Sequence, residues 1–84
     1  MSSTPAGDPE ALALIQAGDL KGALARYERL AKGSSQVDHW RLEAADTALR
    51  AGDGGYARKA AGTIDPKELS TSDRDRLMLL ESRL

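Results

Sequence analysis

The triplet Ala17-Gly18-Asp19 recurs as Ala51-Gly52-Asp53, an offset of 34 residues. In both copies it separates two runs with helical apolar spacing, which places each copy at the bend of a two-helix hairpin. About 34 residues is the length of one such hairpin in helical-repeat proteins. A unit of this size cannot bury its own apolar face and becomes stable by stacking on a neighbour. The repeat therefore points to an all-α stack of hairpins, working through the surface it presents.

Local signals divide the 84 residues further. Residues 1–7 have no periodicity and are expected to form a disordered lead-in. The helical-repeat domain then spans 8–84, with hairpins at 8–33 and 35–64, a connector at 65–70 and the first helix of a third hairpin at 71–84. Five helices are expected, near 8–17, 19–32, 36–51, 54–63 and 71–84. Asp8-Pro9 opens the first, an acid at the N-cap followed by proline where a missing N–H costs nothing. Leu12, Leu14, Ile15 and Ala11 form its apolar side, and Gly18 suits the left-handed position after its end. Asp19 caps the second helix, whose stripe is Leu20, Ala23, Leu24, Tyr27, Leu30 and Ala31. Ser35 is read as the cap of the third, which carries Val37, Trp40, Ala44, Ala45, Ala48 and Leu49 on one side. The fourth is the weakest, because Gly54, Gly55 and Gly62 lower helix propensity and its face is mostly alanine. Asp65-Pro66 begins a short helical stub, and Ser70 with Asp73 suits the start of the fifth helix.

That fifth helix holds more leucine than one partner needs. Leu77, Met78, Leu80 and Leu84 are the residues expected to contact a further repeat or a partner, and Met78, Leu79, Leu80 and Leu84 are expected to form an exposed apolar patch. Repeat logic calls for a sixth helix, so the expectation is a piece of a longer array, cut after two and a half hairpins. The alternative is self-association through these leucines.

Composition narrows the function classes. A net charge of −1 supplies no global field for nucleic acid or an anionic membrane. No apolar run is long enough to span a bilayer. With no basic leader ahead of an apolar run, no signal peptide is read, and the chain alone is expected to be soluble. With no cysteine, neither a disulfide nor a thiolate metal site is available. His39 is the one histidine, and it lacks a second histidine or any cysteine at ligand spacing, so it is read as a surface or half-packed side chain. Asp73 and Asp75, two apart on a helix, do not share a face and are read as a solvated first turn. Gly52-Asp53-Gly54-Gly55 has neither the lysine nor the preceding strand of a phosphate loop. The expectation is a chain with no catalytic, cofactor-binding or metal-binding residues, no small-molecule substrate and no nucleic-acid partner.

Two resemblances carry the residues further. The segment Gly18-Asp19-Leu20-Lys21-Gly22-Ala23-Leu24-Ala25-Arg26-Tyr27-Glu28-Arg29-Leu30 resembles the second half of a tetratricopeptide repeat, with Ala23 as the small contact residue and Tyr27 the aromatic one turn on. The second unit departs from it, with Arg58 and Ala61 where Leu24 and Tyr27 stood. The fold implied is a right-handed solenoid fragment. A second resemblance covers about residues 38–84 and rests on His39-Trp40-Arg41-Leu42-Glu43-Ala44-Ala45, Ala48-Leu49-Arg50-Ala51-Gly52-Asp53, Ile64-Asp65-Pro66-Lys67-Glu68-Leu69-Ser70 and Arg76-Leu77-Met78-Leu79-Leu80-Glu81. This pattern is similar to the amino-terminal domain of the LpoA family, outer-membrane lipoproteins of Gram-negative bacteria that activate a bifunctional class A penicillin-binding protein. The resemblance implies a non-catalytic spacer or interaction module in peptidoglycan synthesis, at the periplasmic face of the outer membrane. Family members carry a lipidated cysteine before the helical domain and a periplasmic-binding-protein-like domain after it, and the penicillin-binding protein is contacted through that second domain. Neither is in these residues, as expected of a piece that begins past the anchor. The alternative function is a general tetratricopeptide-type peptide- or protein-binding module.

Overall fold

The computed structural model describes residues 8–33 and 35–84; the lead-in expected over 1–7 lies outside them. The described residues form α1 (Pro9–Gln16), α2 (Leu20–Gly33), α3 (Val37–Arg50), α4 (Gly54–Gly62), a 3-10 turn (Pro66–Glu68) and α5 (Thr71–Arg83), with no strand. Every helix end falls within one residue of the expected position. The 34-residue register extends to the boundaries: α1 and α3 end at Gln16 and Arg50, α2 and α4 begin at Leu20 and Gly54, and α3 and α5 begin at Val37 and Thr71.

The recurring triplet shows why the register holds. Gly18 and Gly52 have φ of +82° and +89°, a conformation that strains any residue with a Cβ. In the first copy the Gly18 N–H donates to Ile15 O and the Asp19 N–H to Leu14 O; in the second, Gly52 donates to Leu49 O and Asp53 to Ala48 O. This is the Schellman stop, which satisfies the last carbonyls of a helix. The same aspartates start the next helix, Asp19 Oδ1 accepting from Gly22 N at 2.9 Å and Asp53 Oδ1 from Tyr56 N at 3.0 Å. Each hairpin bend thus ends one helix and caps the next with no spare residue.

Asp8 caps α1 by accepting from Ala11 N at 3.0 Å, and it also binds the Arg26 guanidinium of α2 at 2.9 Å. That hydrogen bond holds the Asp8 carboxyl below its ordinary range, against the opposing effect of burial. The start of α3 differs by one residue from the reading above: its N-cap is Gln36, not Ser35. At α5 the expected cap forms, with Ser70 Oγ accepting from Asp73 N.

α3 is the central element and buries two stripes. Trp40, Ala44 and Ala48 face the first hairpin, joining Ala11, Leu24, Tyr27 and Ala31, with Ala57 of α4 completing the cluster. Leu42 and Ala45 face the other way, joining Ala61, Ile64, Leu69, Leu77 and Leu80. The single apolar side read for this helix is therefore two, and Leu42, missing from that reading, is fully buried. A helix with neighbours on both sides loses the one-sided pattern that marks a surface helix. α1 shows the converse: only Ala11 is fully covered, while Leu12 and Ile15 are exposed.

Candidate functional site

α2 and α4, the second helices of the two hairpins, both lean on α3 and leave a trough between them of about 460 Å³. Its floor is built of small side chains, Ala31, Ala44 and Ala60, with Val37 at one end. Tyr27 and Tyr56 form its aromatic walls. Tyr27 is buttressed from behind by Trp40, their rings stacked with centroids 6.0 Å apart and planes inclined by 26°. Tyr56 spans the trough to donate its hydroxyl to Glu28 Oε1 at 2.8 Å. Burial raises the pKa of both phenols, and the Glu28 carboxylate raises that of Tyr56 further, so both stay protonated well past neutrality.

The rim is cationic. Lys32 on α2, Arg41 on α3 and Lys59 on α4 surround the opening, and all three are exposed. Arg41 is steered by a bond from its guanidinium to Thr63 O at 3.3 Å and lies 3.8 Å from Asp38. Glu28 is the one acid lining the trough, and its carboxylate is engaged by Tyr56. An apolar floor under a basic rim is suited to holding a ligand that is apolar on one side and anionic on the other.

A polar seam joins α3 to α5. His39 Nδ1 and Asp73 Oδ2 are 2.6 Å apart, and the two residues are 7% and 5% exposed. This corrects both readings above: His39 is neither on the surface nor half-packed, and Asp73 does not belong to a solvated first turn. Asp75 does remain exposed. His39 Nε2 is buried without a hydrogen-bond partner among the described residues. Farther along α5, Arg76 reaches Glu43 and Asp46 on α3 and Asp73 on its own helix. Burial opposes the Arg76 charge, but these carboxylates outweigh it and raise its pKa. Among the described residues no group of three or more His, Asp or Glu side chains is placed to hold a metal ion.

The seam decides the fate of the leucine patch. Leu77 and Leu80 are each 3% exposed, inside the chain's own core, and Leu84 is half-buried against both apolar clusters. Only Met78 and Leu79, at 64% and 61% exposure, remain open to an additional element. The expected exposed patch is therefore reduced to those two residues, because α5 turns its Leu77–Leu80 edge inward onto Leu42 and Ala45. Trp40 and Tyr56 lie where the hairpins meet: the first stacks on Tyr27 of α2, and the second bonds to Glu28 of the same helix.

No protein-family model, curated protein or solved structure matches the chain.

The trough was not foreseen from sequence. Its signal is weak and distributed: Tyr56, Lys59 and Ala60 share one face of α4, continued by its C-cap Thr63, and Val37, Arg41 and Ala44 one face of α3. Those spacings become a site only once α2 lies beside α4.

Proposed function

We propose that this chain is a non-catalytic protein-interaction and spacer module, serving in an LpoA-like activator of a penicillin-binding protein during peptidoglycan synthesis at the periplasmic face of the outer membrane. The observation that carries the interaction reading is the 34-residue register of stacked hairpins, which leaves a preformed trough on one side and Met78 with Leu79 open on α5. Stacked hairpins support one another through nearest-neighbour contacts and make a stiff spacer. The LpoA-like placement draws on the resemblance of residues 38–84 to that family's pattern: an aromatic opening, a glycine turn, the Asp65-Pro66 connector and a leucine-rich helix. The trough favours a second reading, a general tetratricopeptide-type peptide-binding module.

The gene encoding this chain separates the two. A lipoprotein leader upstream and an α/β domain downstream support the first, and uniform helical repeats on both sides support the second. Biochemically, the chain alone is expected to leave glycan polymerisation and cross-linking by a bifunctional penicillin-binding protein unchanged. Clear stimulation of either activity overturns the spacer role.

A further inference from the structure

We propose that the α2–α4 trough binds an extended acidic peptide segment whose alternate residues are branched and apolar. The proposal deepens the interaction-module reading by naming the chemistry of the partner. Three observations converge on it.

The first is size and shape. The α4 side of the trough runs from Tyr56 to Thr63, which at about 1.5 Å per residue is roughly 10 Å. That length matches about three residues of extended chain at about 3.3 Å each. In an extended segment residues i and i+2 point to the same side. Two side chains can therefore enter the trough while the residue between them faces out.

The second is the floor. Ala31, Ala44 and Ala60 leave space where larger side chains would fill it, and Tyr27, backed by Trp40, provides a firm apolar wall. Branched aliphatic side chains fit such a cavity without bringing a polar atom to be desolvated.

The third is charge. The chain as a whole is net negative, yet the trough is lined by Lys32, Arg41 and Lys59 against the single acid Glu28, and although Arg41 lies 3.8 Å from Asp38, Lys32 and Lys59 keep the rim positive. Lys32 and Lys59 stand on opposite walls, so cations flank a bound segment on both sides. Complementary charge at a rim selects the partner and accelerates encounter.

The test uses the intact chain and three labelled pentapeptides in fluorescence anisotropy: Glu-Leu-Glu-Leu-Glu, Lys-Leu-Lys-Leu-Lys and Glu-Ala-Glu-Ala-Glu. The emission of Trp40, the single tryptophan, gives a second readout behind the Tyr27 wall. Saturable binding of the first peptide alone is expected, weakening as salt rises because the rim charges are exposed. The double variant K32E/K59E should lower affinity at least tenfold. K21E/K67E, an equal charge change outside the trough, should leave it within about twofold, with unchanged helicity in both variants.

Equal binding of the lysine peptide removes the charge argument, and equal binding of the alanine peptide removes the apolar floor. Equal weakening in K21E/K67E shows attraction without a site. Binding of decanoate but of no peptide assigns the trough to a small amphiphile. Each of these results overturns the proposal, as does failure of all three peptides to bind. Failure of the peptides with glycan polymerisation and cross-linking left unchanged by the chain overturns the trough assignment alone, whereas stimulation of either activity overturns the spacer reading whatever the peptides do.

Discussion

The bond between His39 and Asp73 is the perturbation with the largest expected consequence. The two residues occupy equivalent positions in successive units, 34 residues apart, and their 2.6 Å contact ties α3 to α5 beside the second apolar cluster. An exposed ion pair contributes about 0–1 kcal/mol. This pair is buried, so the relevant scale is about 1.5–3 kcal/mol for a hydrogen bond to a charged group, with about 1–3 kcal/mol more when one partner is left unsatisfied. Asp73→Ala strands the Nδ1 side of His39 and also removes a 3.4 Å bond from Arg76, so a loss of about 2–4 kcal/mol is expected. His39→Phe retains a ring against Trp40, which His39 meets edge-on at a centroid distance of 5.0 Å. It also removes the unpartnered Nε2 but leaves the buried Asp73 Oδ2 without its 2.6 Å partner, so its cost is of the same size, about 2–4 kcal/mol. The double variant should cost less than the sum of the singles by about 1.5–3 kcal/mol, since its second substitution breaks a contact already gone. A domain of this length has total stability on the order of 5–10 kcal/mol, so each single variant is readily measured. Urea unfolding followed by far-UV circular dichroism gives the four free energies, and hydrogen exchange should show α5 losing protection before α1 and α2. Single-variant costs that add to within about 0.5 kcal/mol, or an Asp73→Ala cost below that value, refute the coupling.

Four further outcomes are expected. Asp8→Ala removes both the α1 cap and the Arg26 bond and should cost about 1–3 kcal/mol in urea unfolding at neutral pH. Because the folded-state pKa of Asp8 is lowered from its ordinary value of 3.8, its contribution is present above that value and is lost as pH falls through the lower folded one; in Asp8→Asn the acid limb of a stability–pH titration should be shallower. Gly55→Ala should stabilise by about 0.5 kcal/mol, since its φ is not positive and the nearest atom to an added Cβ is Asp53 Oδ1 at an ordinary 3.8 Å, whereas Gly52→Ala should cost about 1–2 kcal/mol at φ +89°; thermal melts decide both. Leu77→Ala and Leu80→Ala should each cost about 2–5 kcal/mol, while Met78→Glu and Leu79→Glu stay within about 0.5 kcal/mol, and four equal values in urea unfolding would contradict the orientation of α5. In native-state hydrogen exchange residues 54–63 should exchange faster than 20–31, since α4 is nine residues long with three glycines.

What was legible in the sequence is what local chemistry decides. Asp8-Pro9, the two Ala-Gly-Asp bends, Asp65-Pro66 and Ser70 each act within five residues of themselves, and helix ends read from them lie within one residue of those observed. Ser35 was misplaced by one residue because Gln36 takes the cap without matching any strong capping preference. What was not legible depends on which helix lies across from which. His39 reads as a lone polar residue until α5 brings Asp73 to it. Leu77 and Leu80 cannot be told from Met78 and Leu79 by residue type, and only the packing of α5 onto Leu42 and Ala45 sorts them. The trough, with parts on three helices, was hidden for the same reason.

The double duty of Asp19 and Asp53 has a consequence for how such a chain can change length. Each aspartate supplies the N–H that closes one helix and the carboxylate that opens the next. One residue inserted between Gly18 and Asp19 separates those tasks: the inserted N–H meets Leu14 O in place of that of Asp19, and the carboxylate that caps α2 moves one residue away from the end of α1. The bend is a locked elbow, with no slack to absorb an extra residue. Between Gly62 and Thr71 the two tasks fall to different residues: the Thr63 N–H closes α4 on Ala60 O, and Ser70 Oγ opens α5 by accepting from Asp73 N. Insertions and deletions should therefore collect at this joint, where they alter the pitch of the stack without unseating the helices on either side.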